Sequence, residues 1–494
     1  MRPKVSIREA LEDPRLLGNV LAGPTWFAWR VILIAAMGEP LNEDERAIFR
    51  QLTGREKEPL ERVDELWGVV GRRGGKTRSV ATLATYLAGF CDYSKMLAIG
   101  ERGLVLCIAQ NQRQAAVAFS YAAGIFRSVP ALEQLIERET ADTLALRNGI
   151  DLEVRAASFR GLRGVTAVAV IADEAAFWAV DGSVNPDSEI LNAVRPSLAT
   201  TRGPLLVISS PHARRGEVWA TYRRHFGMPG DPRVLVLQGA STTMNPSLPQ
   251  SVVDRAIERD PAAASAEYLA QFRVDLEPFV SREVAEAAVD TGVFERPFIS
   301  GIAYHAFVDP SGGSHDSMTC GIAHAEKRVL VLDAIREFRP PFSPEAVVAD
   351  IAELLRCYHL TNVTGDRYGG EWPRESFSRH GVTYLLSERT RSELYQALLP
   401  ELNSRNVALL DNQRLLAQLC CLERRTSRGG RDLIDHGPGN SDDLINSGAG
   451  ALLLALPAIA QDTDIGGMIS VDDGEYAGQF HRVTPGWGLP RGGW

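Results

Sequence analysis

Apolar and polar positions along the chain fall into two successive alternating blocks. In the first, short β-branched or apolar runs at 65–70, 104–109, 166–172 and 204–209 are each followed by turn residues and then a helical pattern. That alternation predicts a mostly parallel sheet with crossover helices. The second block starts near Gly301, with runs at 302–308, 318–324 and 328–334, a helix at about 344–356, a strand at 362–365 and further helices. Three closely spaced strands followed by strand–helix units predict an α/β domain with an antiparallel edge. Residues 1 to about 60 read as helical and carry Trp26, Phe27 and Trp29. Between about 251 and 275 the pattern is again helical, with Pro261 near a helix start, and 276–300 reads as a linker. From Gln461 the chain is rich in Gly, Asp and Pro and is expected to be flexible. The expected organisation is a helical segment at 1–60 belonging to a first domain at 61–275, the linker, a second domain at 301–460, and a tail at 461–494.

Composition narrows the class without choosing a function. A chain of 494 residues is long for one core and comfortable for two. With 45% hydrophobic and 23% charged residues it reads as a soluble globular protein. The longest early apolar run, Trp26 to Met37, is short and contains Arg30, so no membrane span is expected, and nothing before it reads as a signal peptide. Six scattered cysteines, with Cys420 and Cys421 adjacent, lack zinc-ligand spacing and read as reduced thiols of a cytosolic protein. A net charge of −9 does not advertise a nucleic-acid binder. A mean charge hides local basic patches, however, and acidic catalytic clusters push the sum negative.

Chemistry enters after the run at 65–70, where Gly71-Arg72-Arg73-Gly74-Gly75-Lys76-Thr77 leads into a helical pattern. Glycines let backbone N–H groups wrap a phosphate, Lys76 can reach the β- and γ-phosphates, and Thr77 can hold Mg²⁺. Val70 stands where this loop usually has its first glycine. Taken alone, the motif is matched by a plain Gly-rich turn that starts a helix. About a hundred residues later, however, an apolar strand ends in Asp173-Glu174. A strand-end acid of this kind binds Mg²⁺, and the following Glu positions the attacking water. A third strand, Leu205 to Ile208, ends in Ser209-Ser210-Pro211. Those hydroxyls suit either γ-phosphate sensing or simple turn chemistry before proline.

The second block supplies spaced carboxylates. A strand at Tyr304 to Val308 ends in Asp309-Pro310, the strand at 362–365 ends in Asp366, and a helix beginning near Ser441 opens with Asp442-Asp443-Leu444-Ile445-Asn446. Two strand-end acids and one helix-start acid suit a two-metal nuclease, in which converging carboxylates hold two divalent ions about 4 Å apart. Each acid alone has a plain reading, a turn for Asp309 and an N-cap for Asp442. Asp316 and Asp333 are more weakly placed, and Asp411 reads as a helix cap.

In this order the motifs resemble the large terminase subunit of tailed phages. The resemblance runs from the N-terminal aromatics through Gly71–Thr77, Ser158-Phe-Arg-Gly-Leu-Arg-Gly164, Val170-Ile-Ala-Asp-Glu174, Ile208-Ser-Ser-Pro211 and Glu267-Tyr268-Leu269 to the pair at 442–443. It implies an α/β architecture: an additional-strand, RecA-like P-loop ATPase domain followed by an RNase H-like nuclease domain. It implies ATP with Mg²⁺ in the first and two Mg²⁺ or Mn²⁺ ions in the second. Arg72 takes the position of a cis arginine finger and Ser209-Ser210 that of a motif coupling hydrolysis to movement. Many relatives have His where this chain has Ser441, which leaves open whether Asp442 or Asp443 ligates metal directly, with Asp443 preferred. Partners implied are double-stranded DNA, a terminase small subunit and the portal protein of a procapsid, with the chain forming a homo-oligomeric ring on the portal in the host bacterial cytoplasm.

For DNA contact, Arg424, Arg425, Arg428 and Arg431 flank Gly429-Gly430 as a basic loop, and Arg214, Arg215, Arg223 and Arg224 form a second cluster. Such groups would neutralise phosphates without reading sequence, although a solvated surface is the plainer reading for any one of them. The rival functions are a P-loop helicase, which usually carries a second RecA-like lobe that is not evident after 275, and a DNA-binding scaffold, which would not need Lys76, Thr77, Asp173 and Glu174.

Overall fold

The computed structural model describes residues 1–494 except 158–163, 179–182, 184–185, 229, 315, 367–371, 427–431, 438–439 and 465–494. Most of the expected tail lies outside the described residues. Its first residues belong to the helix Asp443–Asp464, which continues past the expected boundary.

The first sheet has eight strands in the order Val234–Gly239, Glu65–Val70, Leu205–Ser209, Ala167–Asp173, Gly103–Ala109, Ile150–Ala156, Thr143–Leu146, Ile136–Glu139. The first six pair parallel in succession, and the last two are added through antiparallel pairings, so that only Thr143–Leu146 runs against the rest. Ala167–Asp173 and Gly103–Ala109 are buried along their whole length, because helices cover both faces of a parallel sheet. These continuous apolar runs were readable from sequence. Strands such as Ile150–Ala156 alternate in burial and give a weaker signal. Leu205–Ser209 sits between the phosphate-loop strand Glu65–Val70 and the acidic strand Ala167–Asp173. This insertion is what defines the additional-strand class. Residues 1–60 share the core of this sheet, with Trp29, Ile32 and Phe49 fully buried in it.

The second sheet runs Val289–Asp290, Val407–Leu410, Val329–Phe338, Met318–Glu326, Tyr304–Asp309, Asn362–Gly365, Thr383–Leu386. Met318–Glu326 is antiparallel to both neighbours, and the other pairings are parallel. The antiparallel strand is therefore internal, not the edge that spacing suggested. The chain leaves the three-strand meander through the helix Pro344–Cys357, adds two strands beside Tyr304–Asp309, and later adds Val407–Leu410 on the opposite side. Five strands in this order, with the second antiparallel, form an RNase H-like sheet.

The stretch 276–300, expected to be a linker, is built into this second module. Leu276–Pro278 pairs with Leu422–Thr426, and Val289–Asp290 pairs with Val407–Leu410. Phe279, Val280 and Ala285 lie in its core. Helix Asp443–Asp464 packs across Met318–Glu326 and Tyr304–Asp309. A Cβ at Gly450 would lie 2.2 Å from the Phe307 ring, so a glycine there allows the close approach. That approach brings the start of the helix over the strand ends.

Candidate nucleotide and metal sites

In the first module the loop after Glu65–Val70 turns into the helix Lys76–Phe90 through Gly75, whose φ of 80° suits glycine. Arg73 also has positive φ, at 61°. Three side chains hold the loop from outside: Trp29 Nε1 donates to the Gly74 carbonyl (2.6 Å), Ser241 Oγ to that of Arg72 (2.6 Å) and Asn245 Nδ2 to that of Arg73 (2.9 Å). With its carbonyls engaged by these side chains, the loop faces a cleft of about 890 Å³ lined in part by Trp26, Lys76, Tyr121 and Glu174.

Lys76 is only 6% exposed. Its Nζ donates to the Val70 carbonyl (3.1 Å) and to Ser210 Oγ (2.9 Å), and lies 3.2 Å from Glu174 Oε1. Thr77 Oγ1 donates to Asp173 Oδ2 at 3.0 Å, while Asp173 Oδ1 is buried without a partner among the described residues. Burial, with Glu174 adding, pushes the Asp173 carboxyl up to about 6. That buried oxygen beside the Thr77 hydroxyl fits a divalent cation, which prefers hard oxygen donors. Glu174, at a φ of 52°, accepts the Ser210 backbone N–H at 3.0 Å. Such a backbone at a non-glycine residue is uncommon and tends to mark functional positions. Ser210 thus touches both Lys76, through its Oγ, and Glu174, through its backbone N–H. Arg72 is exposed and pairs with Glu267 at 3.3 Å.

In the second module Asp309 and Asp366 end neighbouring parallel strands. They converge on one amide, since Asn446 Nδ2 donates to Asp309 Oδ2 and to Asp366 Oδ2, each at 2.9 Å. Asp443 opens the helix one turn before Asn446, on the same face. Burial, reinforced by Asp366 and Asp443, raises the Asp309 carboxyl well above its ordinary range. Burial also raises Asp366, and burial with Asp442 and Asp316 pushes Asp443 up to about 6. Three crowded carboxylates that resist ionisation together make an oxygen-donor set of the kind Mg²⁺ or Mn²⁺ takes.

Several sequence expectations change. Asp442 was a candidate ligand, but it is 1% exposed and both oxygens are engaged, Oδ1 by Arg391 (2.8 Å) and Oδ2 by the Tyr395 hydroxyl (2.9 Å). Asp442 thus anchors the helix start, which leaves Asp443 as the candidate ligand. Asp435, His436 and Asp442 also bring ligand atoms together, yet the Arg391 cation on Asp442 opposes a second cation there. Asp442 does not cap the helix with its side chain either. Gln418 Oε1 accepts from Leu444 N (2.8 Å) and Ile445 N (3.2 Å), and is itself held by Ser441 Oγ, which accepts from Gln418 Nε2 at 2.9 Å. Asp411 is not the cap of Gln413–Cys421. Asn412 is that cap, and Asp411 accepts from Gly292 N at 2.8 Å. Asp333 pairs with His324 at 2.7 Å.

Of the basic residues proposed for DNA, Arg424 pairs with Asp432 on the neighbouring strand, and Arg425 reaches across to Asp260 of the first module at 2.7 Å. Arg428 and Arg431 lie outside the described residues. In the second cluster, Arg215 pairs with the buried Glu423 and Arg214 lies over the Trp219 ring. Sequence reasoning missed Trp29, Ser241 and Asn245 as loop supports, and Gln418, Arg391 and Tyr395 as supports of the start of the helix Asp443–Asp464. Their partners are distant in sequence, so no local signal marks them. Asn446 was detectable from its spacing, one helical turn after Asp443.

Strand orders and clustered residues together define an additional-strand phosphate-loop module joined to an RNase H-like module with a carboxylate cluster. No protein-family model matches the chain, and no curated protein matches it. Among solved structures it is similar to the large terminase of bacteriophage HK97, with 18% identity over 79% of this chain and 91% of that one and a TM-score of 0.36. It is also similar to a large terminase from a thermophilic bacteriophage, with 11% identity over 78% and 92% and a TM-score of 0.37. The large terminase nuclease of another thermophilic phage, G20c, covers 34% of this chain and 94% of its own, at 15% identity and a TM-score of 0.30. Likeness of this degree leaves the function to the residues.

Proposed function

We propose that the chain is the large subunit of a tailed-phage DNA-packaging terminase, an ATP-driven motor for double-stranded DNA joined to a metal-dependent endonuclease. The observation that carries this reading is the presence of both constellations in one chain: Lys76, Thr77, Asp173 and Glu174 around one loop, and Asp309, Asp366 and Asp443 at the ends of an RNase H-like sheet. In the first, Lys76 binds the β- and γ-phosphates, Thr77 and Asp173 would hold Mg²⁺, and Glu174 orients the attacking water. Ser210 touches both Lys76 and Glu174, so it is placed to relay the state of the γ-phosphate to the segment that follows. Arg72 neutralises charge on the phosphates once it leaves Glu267.

In the second, Asp309, Asp366 and Asp443 would hold Mg²⁺ or Mn²⁺. When bound, a divalent ion there supplies an activated water and stabilises the leaving oxygen. Arg391 and Tyr395 fix Asp442 and thereby the helix that carries Asp443. A terminase small subunit, a procapsid portal and a homo-oligomeric ring are the partners this function requires, in the cytoplasm of a bacterial host. No helix among the described residues is long and apolar enough to cross a membrane.

The test is whether the purified chain hydrolyses ATP with Mg²⁺ and nicks supercoiled plasmid with Mn²⁺. A chain that does neither is a scaffold. One that hydrolyses ATP and unwinds duplexes without cutting them is a helicase.

A further inference from the structure

The Asn446 side chain is fully buried among the acids of the second module. Its Nδ2 donates one hydrogen bond each to Asp309 and Asp366, while its Oδ1 is buried with no partner among the described residues. The NH₂ end faces the two carboxyl groups, each of which accepts from it, as an ionised carboxylate can only accept. An unpartnered amide oxygen at such depth is unusual, since buried polar side-chain atoms are nearly always paired. The two ends of the amide differ only in polarity, and half a turn about the last side-chain bond exchanges them. The NH₂ end suits ionised carboxylates alone, and the carbonyl end suits a cation held by those carboxylates.

We propose that Asn446 is the positioning residue of this site: its amide holds Asp309 and Asp366 together in the absence of a divalent cation and turns its carbonyl oxygen toward the cation when one binds. The inference rests on reading Asp309, Asp366 and Asp443 as the metal site. A neutral residue in the middle of the cluster limits mutual repulsion of the acids and keeps an oxygen donor in reserve. Helix Asp443–Asp464 carries both Asp443 and Asn446, so one rigid element delivers a ligand and the amide together.

The full chain, stripped of metal with EDTA, is titrated with MnCl₂ by calorimetry and melted with and without Mn²⁺, as wild type, Asn446→Leu and Asn446→Asp. Asn446→Leu should weaken Mn²⁺ binding by about 10- to 100-fold. Asn446→Asp keeps an oxygen donor and should bind Mn²⁺ at least as tightly as wild type. Without metal at pH 8 it should melt lower, because a further carboxylate faces Asp309 and Asp366, and Mn²⁺ should restore it. Wild-type Mn²⁺ affinity in a folded Asn446→Leu chain overturns the inference. If the leucine variant does not fold, an unchanged metal-free melting temperature in Asn446→Asp overturns it. Absence of Mn²⁺ binding by the wild-type chain instead overturns the metal-site reading, a result separate from either variant outcome.

Discussion

The phosphate-loop site and the carboxylate site are both assembled at strand ends, but their charges are balanced differently. In the first, the acid Glu174 meets the cation Lys76 directly, and the loop is tied down by Trp29, Ser241 and Asn245. In the second, Asp309 and Asp366 share a neutral amide, Asp443 lies one turn away on the same helix as that amide, and the neighbouring cation Arg391 is engaged by Asp442. A site with internal countercharge is stable as it stands. A site of like charges needs a bound cation to reach full stability, so metal binding and folding are linked there. The two sites should therefore respond independently to mutation, and the second should lose more stability than the first on metal removal.

The largest expected effect is a double dissociation. Asp309→Asn should abolish Mn²⁺-dependent plasmid cleavage and most of the Mn²⁺-induced rise in melting temperature, while ATP hydrolysis continues. Lys76→Ala should do the reverse, and Asp411→Asn, which only loses a contact with Gly292, should cleave normally. Loss of both activities in a folded single variant would break the comparison.

Next in size, Glu174→Gln should lower ATP turnover by roughly 10²- to 10⁴-fold with nucleotide affinity retained. Steady-state kinetics and equilibrium titration with a nucleotide analogue separate the two. An equal fall in affinity would make Glu174 part of the binding surface.

The third prediction uses pH to sharpen the contrast. Asp443, pushed up to about 6, and Asp309, raised well above its ordinary range, bind protons more tightly folded than unfolded. Their contribution to stability is present below the ordinary carboxylate value of about 4 and is lost as pH rises through the folded value. Metal-free melting temperature should therefore fall between about pH 4 and pH 7, and Mn²⁺ should recover it increasingly above pH 6, because ligation requires the ionised forms. Asp309→Asn should flatten the metal-free profile. A profile unchanged by that substitution would show that the fold does not hold Asp309 protonated.

The smallest effect is expected from Trp29→Phe, which keeps most of the buried ring and removes the hydrogen bond to Gly74. It should cost about 1 kcal/mol of stability and raise the KM for ATP without changing Mn²⁺-dependent cleavage. Denaturant unfolding and steady-state kinetics measure the two.

The difference between the sites also governs how readable each was. Gly71 to Thr77 is one contiguous loop, and Asp173-Glu174 one dipeptide at the end of an apolar run, so local patterns name the residues. The carboxylates come from two strands and a helix, and each carries a plausible local role as a turn or a cap. The pattern therefore named Asp309, Asp366 and Asp443 but could not separate Asp443 from Asp442, because both begin the same helix. Arg391 and Tyr395, which engage Asp442, lie some fifty residues earlier in the chain. The reading of 276–300 as a linker failed for a related reason. Its short strands bury few residues of their own and gain their identity from pairing with 407–410 and 422–426.

By itself the sequence determined what depends on near neighbours: buried parallel strands as unbroken apolar runs, the phosphate loop, and acids at strand ends. Tertiary structure decided what depends on encounters between distant segments. These are the position of Leu205–Ser209 beside the phosphate-loop strand, the internal place of the antiparallel strand, and the commitment of Asp442 to Arg391 and Tyr395. They also include the meeting of Asp309, Asp366 and Asn446. The physical reason is that local pattern reports which face of an element is apolar. The partner of a buried polar group is chosen only when separate elements pack and each donor and acceptor must find its match.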